Sequence, residues 1–222
     1  MSSIVKFLFG VLLFAGLPLV GWGVTDIRGF IDHSARLAYI AVVVLLQGGI
    51  VIKWPTVGRC GGDGKQVVRR QRIATVLLQI LSVVIIILAP YCDHWNIMAY
   101  DEIAFMRYFG LSLFALGFIG INWAEAVLGN QFSIQVTLQE GHQLVTKGPY
   151  RYVRHPRYAN ILLYNVGLAL LYRSLLALIL VGVLMVVLLW RIHDEEALMH
   201  EAFGEDWEAY SKETMRLIPW LY

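Results

Sequence analysis

The sequence predicts an all-α integral membrane protein with about six transmembrane helices, the last two forming a helical hairpin, and a cytoplasmic amphipathic helix at the carboxyl end. Three observations predict this. Hydrophobic residues make up 58% of the 222 and charged residues only 15%, with a mean hydropathy of +0.63, whereas about a quarter of an ordinary soluble domain is charged. Apolar runs of near-bilayer length recur along the chain, and the basic residues gather in alternate connections. The formal net charge of +2 gives a nucleic-acid partner no global electrostatic support.

The first apolar run, Ile4 to Val24, is broken only by Lys6 and Pro18. One lysine before an apolar core could mimic a secretory signal, but no small-x-small cleavage pattern follows, so a retained first span is expected. The second run is Leu37 to Trp54, the third Ile73 to Tyr91 and the fourth about Tyr108 to Leu128. Each approaches the roughly 20 residues needed to cross a bilayer. Asn122 and Glu125 interrupt the fourth. A carboxylate there either reaches the surface or faces a polar cavity, and the surface position is the more common.

Ala159 to Tyr172 and Leu175 to Trp190 hold 14 and 16 residues, separated by Arg173 and Ser174. Each is short for a span, and together they are too long for one helix. A hairpin of two helices is therefore expected, its turn at the far membrane surface. Pro156, Arg157 and Tyr158 extend the first of them, since proline suits a first helical turn.

The positive-inside rule orients these spans. The amino terminus, the Lys53 to Arg72 loop, the segment before the hairpin and the carboxyl tail would share one side. They hold 14 of the 18 Lys and Arg, leaving Arg28, Arg36, Arg107 and Arg173 opposite. Both termini are thus expected in the cytoplasm. Cys60 and Cys92 fall on opposite sides, so free thiols are expected. The loop with Gly61, Gly62 and Gly64 lacks the spacing and the following Lys-Ser/Thr of a phosphate loop. It reads as a basic linker against anionic membrane lipid.

Two polar stretches carry the chemistry. Gly148 to Tyr158 sets three arginines, a histidine and three tyrosines between apolar segments. Arg and Tyr suit the headgroup level, but two prolines that fix the backbone and several flat aromatic faces also suit a binding site. From Arg191 the chain turns polar and acidic, with Leu198, Met199, Phe203, Trp207 and Tyr210 at helical spacing and a possible break at Gly204. So acidic a helix is a poor lipid binder, and the arginine-rich segment before the hairpin is its natural counterpart. Arg191 and Glu195 lie four apart, on one helical face. They can form a local ion pair, weak in this order, or face a common pocket. His193 and His200 have no metal-site spacing, so no metal is expected. Nor is there a Gly-x-Ser-x-Gly elbow.

A longer pattern carries a resemblance. Gln135, the run Gly141 to Tyr150, Arg154-His155-Pro156-Arg157-Tyr158, the Glu195-Glu196 pair, Phe203-Gly204-Glu205 and Leu217-Ile218-Pro219 resemble the isoprenylcysteine carboxyl methyltransferase family, related to the membrane phospholipid methyltransferases. The likeness covers roughly residues 110 to 220. It implies a methyltransferase core over residues 106–222, preceded by helices of residues 1–105. It also implies S-adenosylmethionine as cofactor, bound on the cytoplasmic side between the loop before the hairpin and the helix after it. Carried over by position, Gln135, His142, Leu144, Val145, Tyr150, His155, Pro156, Tyr158 and Glu195 would line the cofactor. Arg191 would face the acceptor, with Arg216 beside it, and Glu195 would be catalytic as well. Two positions depart from the family: Asn160 stands where glycine is frequent, and Asn122 where arginine is common.

The resemblance implies carboxyl O-methylation of a prenylated or otherwise lipophilic acceptor that enters from the bilayer. Rival readings are methylation of a phospholipid amine or a small thiol and, in other classes, a membrane reductase or a transport or binding protein. Few ionisable groups lie in the spans and no inverted repeat is visible, which counts against transport. The lack of a Rossmann fingerprint counts against a nicotinamide reductase.

Overall fold

The computed structural model describes residues 3–53, 69–129 and 144–217. The expected sites at Gln135 and His142, the glycine loop, Cys60 and the motif residues Ile218 and Pro219 lie outside them. The described residues are overwhelmingly helical, and the long helices run antiparallel to their neighbours in sequence.

The first apolar run forms one rod of 20 residues: α1 (Ser3–Val11), a π-helical turn (Leu12–Gly16) and α2 (Leu17–Trp22). Pro18 falls at the start of α2, where its missing N–H costs little. A short α3 (Ile27–Asp32), opened by an Asp26 carboxylate that accepts from the Gly29 amide at 3.0 Å, leads into α4 (Ser34–Lys53). Next come α5 (Arg69–Trp95) and α6 (Ala104–Leu128), and then a 3-10 turn (Gly148–Arg151) that opens onto α7 (Pro156–Leu171). Helix α8 (Leu175–Phe203) continues without a break from the hairpin into the acidic stretch. Gly204, at a φ of 50°, ends it, and α9 (Glu205–Glu213) follows.

Five helical stretches are long and apolar enough to cross a bilayer: Ser3–Trp22, Ser34–Lys53, Arg72–Trp95, Ala104–Leu128 and Leu175–Phe203. The protein is an all-α, multi-pass membrane protein. Helix α7, expected as a span, has 16 residues, roughly 24 Å of rise, against a hydrocarbon core of about 30 Å. It runs antiparallel along α6, from Asn160 beside Gly120 to Leu171 beside Gly110. Gly110 and Gly117 of α6 and Gly167 of α7 let the two backbones touch. A Cβ on Gly117 would lie 2.6 Å from the Tyr164 nitrogen, and one on Gly167 2.4 Å from that of Phe114. Small residues that permit close approach are the usual glue of helices in lipid. The same logic absorbs Asn160: its side chain lies against Gly120 of α6 and donates to the Pro156 carbonyl at 2.7 Å.

Leu12, Leu45, Ile52, Phe105 and Val186 stand exposed on the outside of the bundle, as lipid-facing residues do. The buried core is aromatic: Phe30, Tyr39, Phe114 and Tyr172 are all 0% exposed. At the turn end of the bundle, Asp93 receives Arg107 (2.9 Å), Arg36 (3.0 Å) and Arg173 (2.8 Å). Three of the four arginines assigned to that side are thus bound to one buried carboxylate. Cys92 is buried and unbonded to another cysteine.

Candidate functional site

At the other end of the bundle, the polar stretches that flank the hairpin meet. Pro156 opens α7, and the residues before it run beside the carboxyl segment as a short parallel bridge, Val153 against Met215. The Arg154 amide donates to the Met215 carbonyl at 2.8 Å and the His155 amide to that of Arg216 at 3.1 Å. Tyr210 of α9 donates its hydroxyl to the Tyr150 carbonyl at 2.7 Å. The acidic carboxyl helix therefore packs back on the arginine-rich segment, through ion pairs as well as backbone.

Adjacent residues of a helix point about 100° apart, so Glu195 and Glu196 serve different partners. Glu196 holds Arg154 (3.0 Å), His155 Nε2 (3.2 Å) and Arg216 (2.7 Å). Arg154 also donates to the carbonyls of Ser211, at 2.7 Å, and Thr214. Glu195 accepts from the Tyr158 hydroxyl at 2.6 Å, and that hydroxyl accepts from Arg191 Nε at 2.7 Å. Arg191, 3% exposed, also donates to the hydroxyl of Thr75 on α5. A phenol that donates once and accepts once is thereby fixed between a carboxylate and a guanidinium. His155 stacks on the Tyr158 ring, 5.6 Å between centroids and 13° between planes. Burial pushes the Tyr150 phenol above its ordinary pKa.

Arg191 and Tyr158 form one end of a cavity of about 710 Å³. Its polar end adds Thr75, Asn122, Glu125 and Arg157, and its body is apolar, with Leu13, Phe14, Leu78, Ile86 and Phe118 among its walls. Such a volume falls in the range of ligand sites. Glu125 corrects an expectation: it faces this cavity, not the surface, because Arg157 of α7 binds it at 2.9 Å. Asn122 also lines the cavity, its amide spent on the Phe118 carbonyl at 2.7 Å.

Of the residues expected to line a cofactor, the structure brings Tyr150, His155, Pro156, Tyr158 and Glu195 into one cluster, with Leu144 and Val145 half-buried on the extended approach to it. Arg216 does not join Arg191. It is bound to Glu196 and does not line the cavity, so its place is in the anchoring of the carboxyl segment. Thr75 and the Glu125–Arg157 pair were missed as site residues. Nothing local marks Thr75, while Arg157 lay inside the singled-out stretch and could have been matched to the one carboxylate of the fourth span.

Fold and site together define a multi-pass membrane protein with a charged relay at one end of a lipophilic cavity. Residues 105–206 match the model of the phospholipid methyltransferase family. The chain is similar to a probable protein-S-isoprenylcysteine O-methyltransferase of Oryza sativa subsp. indica, 28% identical over 127 residues, covering 54% of this chain and 64% of that protein. It is likewise similar to the protein-S-isoprenylcysteine O-methyltransferase of Schizosaccharomyces pombe, 34% identical over 117 residues, covering 47% and 48% of the two chains. Protein YpbQ of Bacillus subtilis is 34% identical over 80 residues, covering 36% of this chain and 48% of that one. The carboxyl-terminal half of the chain is thus similar to proteins named as protein-S-isoprenylcysteine O-methyltransferases, and the chain spans less than two thirds of the length of the curated relatives it matches.

Proposed function

We propose that this protein is an integral membrane methyltransferase that uses S-adenosylmethionine to methylate the carboxylate of a lipophilic, isoprenylcysteine-like acceptor. The observation that carries the reading is the unbroken chain of contacts from Arg191, at the polar end of the cavity, through the Tyr158 hydroxyl to Glu195. It joins a place for a lipophilic molecule to the segment that the family resemblance assigns to the cofactor.

The residues present suit that cofactor. The stacked His155 and Tyr158 rings offer flat faces to an adenine or a sulfonium cation, and Glu195 offers an acceptor to ribose hydroxyls or an ammonium group. When bound, S-adenosylmethionine supplies an electrophilic methyl group, and the protein's task is alignment. Arg191 holds the acceptor carboxylate, which is ionised at neutral pH and needs no general base. Tyr158 fixes the guanidinium against Glu195, so acceptor and donor positions are set by one hydroxyl. The apolar walls exclude water from both. The count of basic residues supports a cytoplasmic position for the site and both termini.

The description of the matching family favours one second reading, methylation of a phospholipid amine. That acceptor must lose a proton, and His155 or Glu195 would take it. Transfer of labelled methyl by lipid-reconstituted protein, offered an S-farnesylcysteine analogue and an aminophospholipid in parallel, decides. Base-labile label on the farnesylated compound supports carboxyl methylation, and base-stable label on the lipid supports the second reading. Absence of transfer to either, with no donor binding, overturns both.

A further inference from the structure

The cavity has a direction. On α5 its lining runs from Thr75, beside Arg191, to Ile86, eleven residues and therefore roughly 16 Å of helix. On α6 it runs from Glu125 to Phe118, and on α7 from Arg157 to Tyr164. On α6 and α7 the lining thus passes from charged residues at one end to aromatic ones at depth, while Gln79 and Ser82 of α5 and Gln47 of α4 are polar points along the wall. The deep end is closed by a side chain from outside the family-matched segment. Phe14 projects from the π-helical turn Leu12–Gly16 and meets Phe118 edge-on at 5.0 Å, Tyr164 at 6.1 Å and Phe114 at 6.2 Å. The widened turn is held in place by Tyr39, whose hydroxyl donates to the Phe14 carbonyl. Tyr39 and Phe114, which contact Phe14 and meet each other at 5.0 Å, are both 0% exposed, so the ring has packed neighbours at its back. The turn therefore does two things: it offers a backbone carbonyl to a neighbouring helix and aims a ring across the bottom of the cavity. A π-turn is a frequent mark of a functional site in a helix.

We propose that Phe14 is the floor of the acceptor channel and sets the longest chain the site accepts. The inference rests on the cavity being the acceptor site of the proposed methyltransferase. It gives the amino-terminal rod a chemical role: the matched segment supplies the charged end, and the π-helical turn measures the tail. Selection works by exclusion, since a chain too long for a closed, densely packed end must displace ring atoms that have nowhere to go.

The test uses full-length protein in lipid vesicles and N-acetylcysteines carrying S-geranyl, S-farnesyl and S-geranylgeranyl chains. Binding of each, by displacement of one tritiated compound, is measured beside methyl transfer. Wild type is expected to show a drop in affinity beyond one chain length. Phe14→Ala should move that drop to a longer chain, raising the long-to-short affinity ratio roughly tenfold or more, as relief of overpacking would. Phe14→Trp should move it to a shorter one. The Tyr39 hydrogen bond uses a backbone carbonyl, so both variants keep it, and opposite shifts cannot come from general damage. Equal ratios in all three proteins, a uniform loss in both variants, or no binding by wild type at any length overturn the proposal. Length-dependent binding that follows residue 14 without any methyl transfer leaves the floor standing and refutes the methyltransferase reading instead.

Discussion

Asp93 on α5 and Arg107 on α6 are joined by two parallel hydrogen bonds of 2.9 Å, carboxylate to guanidinium, with both side chains 1% exposed. Arg36 and Arg173 bind the same carboxylate, and Glu102 binds Arg107 from outside at 2.7 Å. Four segments of the chain are tied together at this point: the starts of α4 and α6, the end of α5 and the hairpin turn. Removing one partner of a buried ion pair strands the others. Asp93→Ala is expected to destabilise the protein by about 3–5 kcal/mol, read as a large fall in midpoint in detergent-solubilised thermal unfolding. An unchanged midpoint would show that the cluster holds nothing.

Glu102 gives this cluster a pH dependence. The hydrogen bond from Arg107 pulls its carboxyl down from 4.5 to about 2, against a smaller opposing effect of burial. A depressed carboxylate stabilises the fold above its unfolded pKa and loses that contribution as pH falls through its folded one. The melting advantage of wild type over Glu102→Gln should therefore be full above pH 4.5 and fade between about 4.5 and 2. An advantage that persists undiminished to the acid end would contradict this. Glu102 is 47% exposed on its side chain, so solvent screening keeps the effect small.

Tyr158→Phe keeps the ring and removes only the hydroxyl between Arg191 and Glu195. Hydrogen bonds to charged groups are worth about 1.5–3 kcal/mol each. Methyl transfer should fall at least roughly tenfold, and Arg191→Met should lose turnover while retaining donor binding by calorimetry. A Tyr158→Phe protein with wild-type kcat/KM would remove the relay from the mechanism.

The glycines of the α6–α7 contact should be intolerant and one elsewhere should not. Gly167→Ala pushes a methyl into the Phe114 backbone and should cost about 1–3 kcal/mol. Gly182 of α8 meets nothing within 4 Å of an added Cβ, so Gly182→Ala should gain up to about 1 kcal/mol from helix propensity. Paired unfolding curves check both, and equal shifts for the two would mean that the close approach is not limiting.

Much of this was legible in the residues because long apolar runs and their charged flanks are local signals. The hairpin turn at Arg173, the break at Gly204 and the meeting of the two polar stretches could all be anticipated. What sequence position hides is partnership across the bundle. Glu125 was open between the surface and a polar cavity because its partner Arg157 lies 32 residues away. Arg36, Arg107 and Arg173 read as loop charges that report orientation, whereas a single carboxylate, Asp93, collects them. Arg216 is bound by Glu196, twenty residues before it, a partnership that spacing does not announce.

Helix α8 runs 29 residues without a break, about 43 Å at 1.5 Å per residue. It is pinned at one end where the Ser174 hydroxyl caps it, at 3.0 Å from the Ala177 amide, and at the other where Glu196 grips Arg154 and Arg216. Arg191 and Glu195 are graduations on that beam. Their spacing is fixed by the pitch of a helix that has no hinge between them, so any shift of the beam carries both together. Fine adjustment of an acceptor against a donor then falls to the parts that grip the beam from outside, Tyr158 and Thr75, much as a vernier slides on a rigid scale.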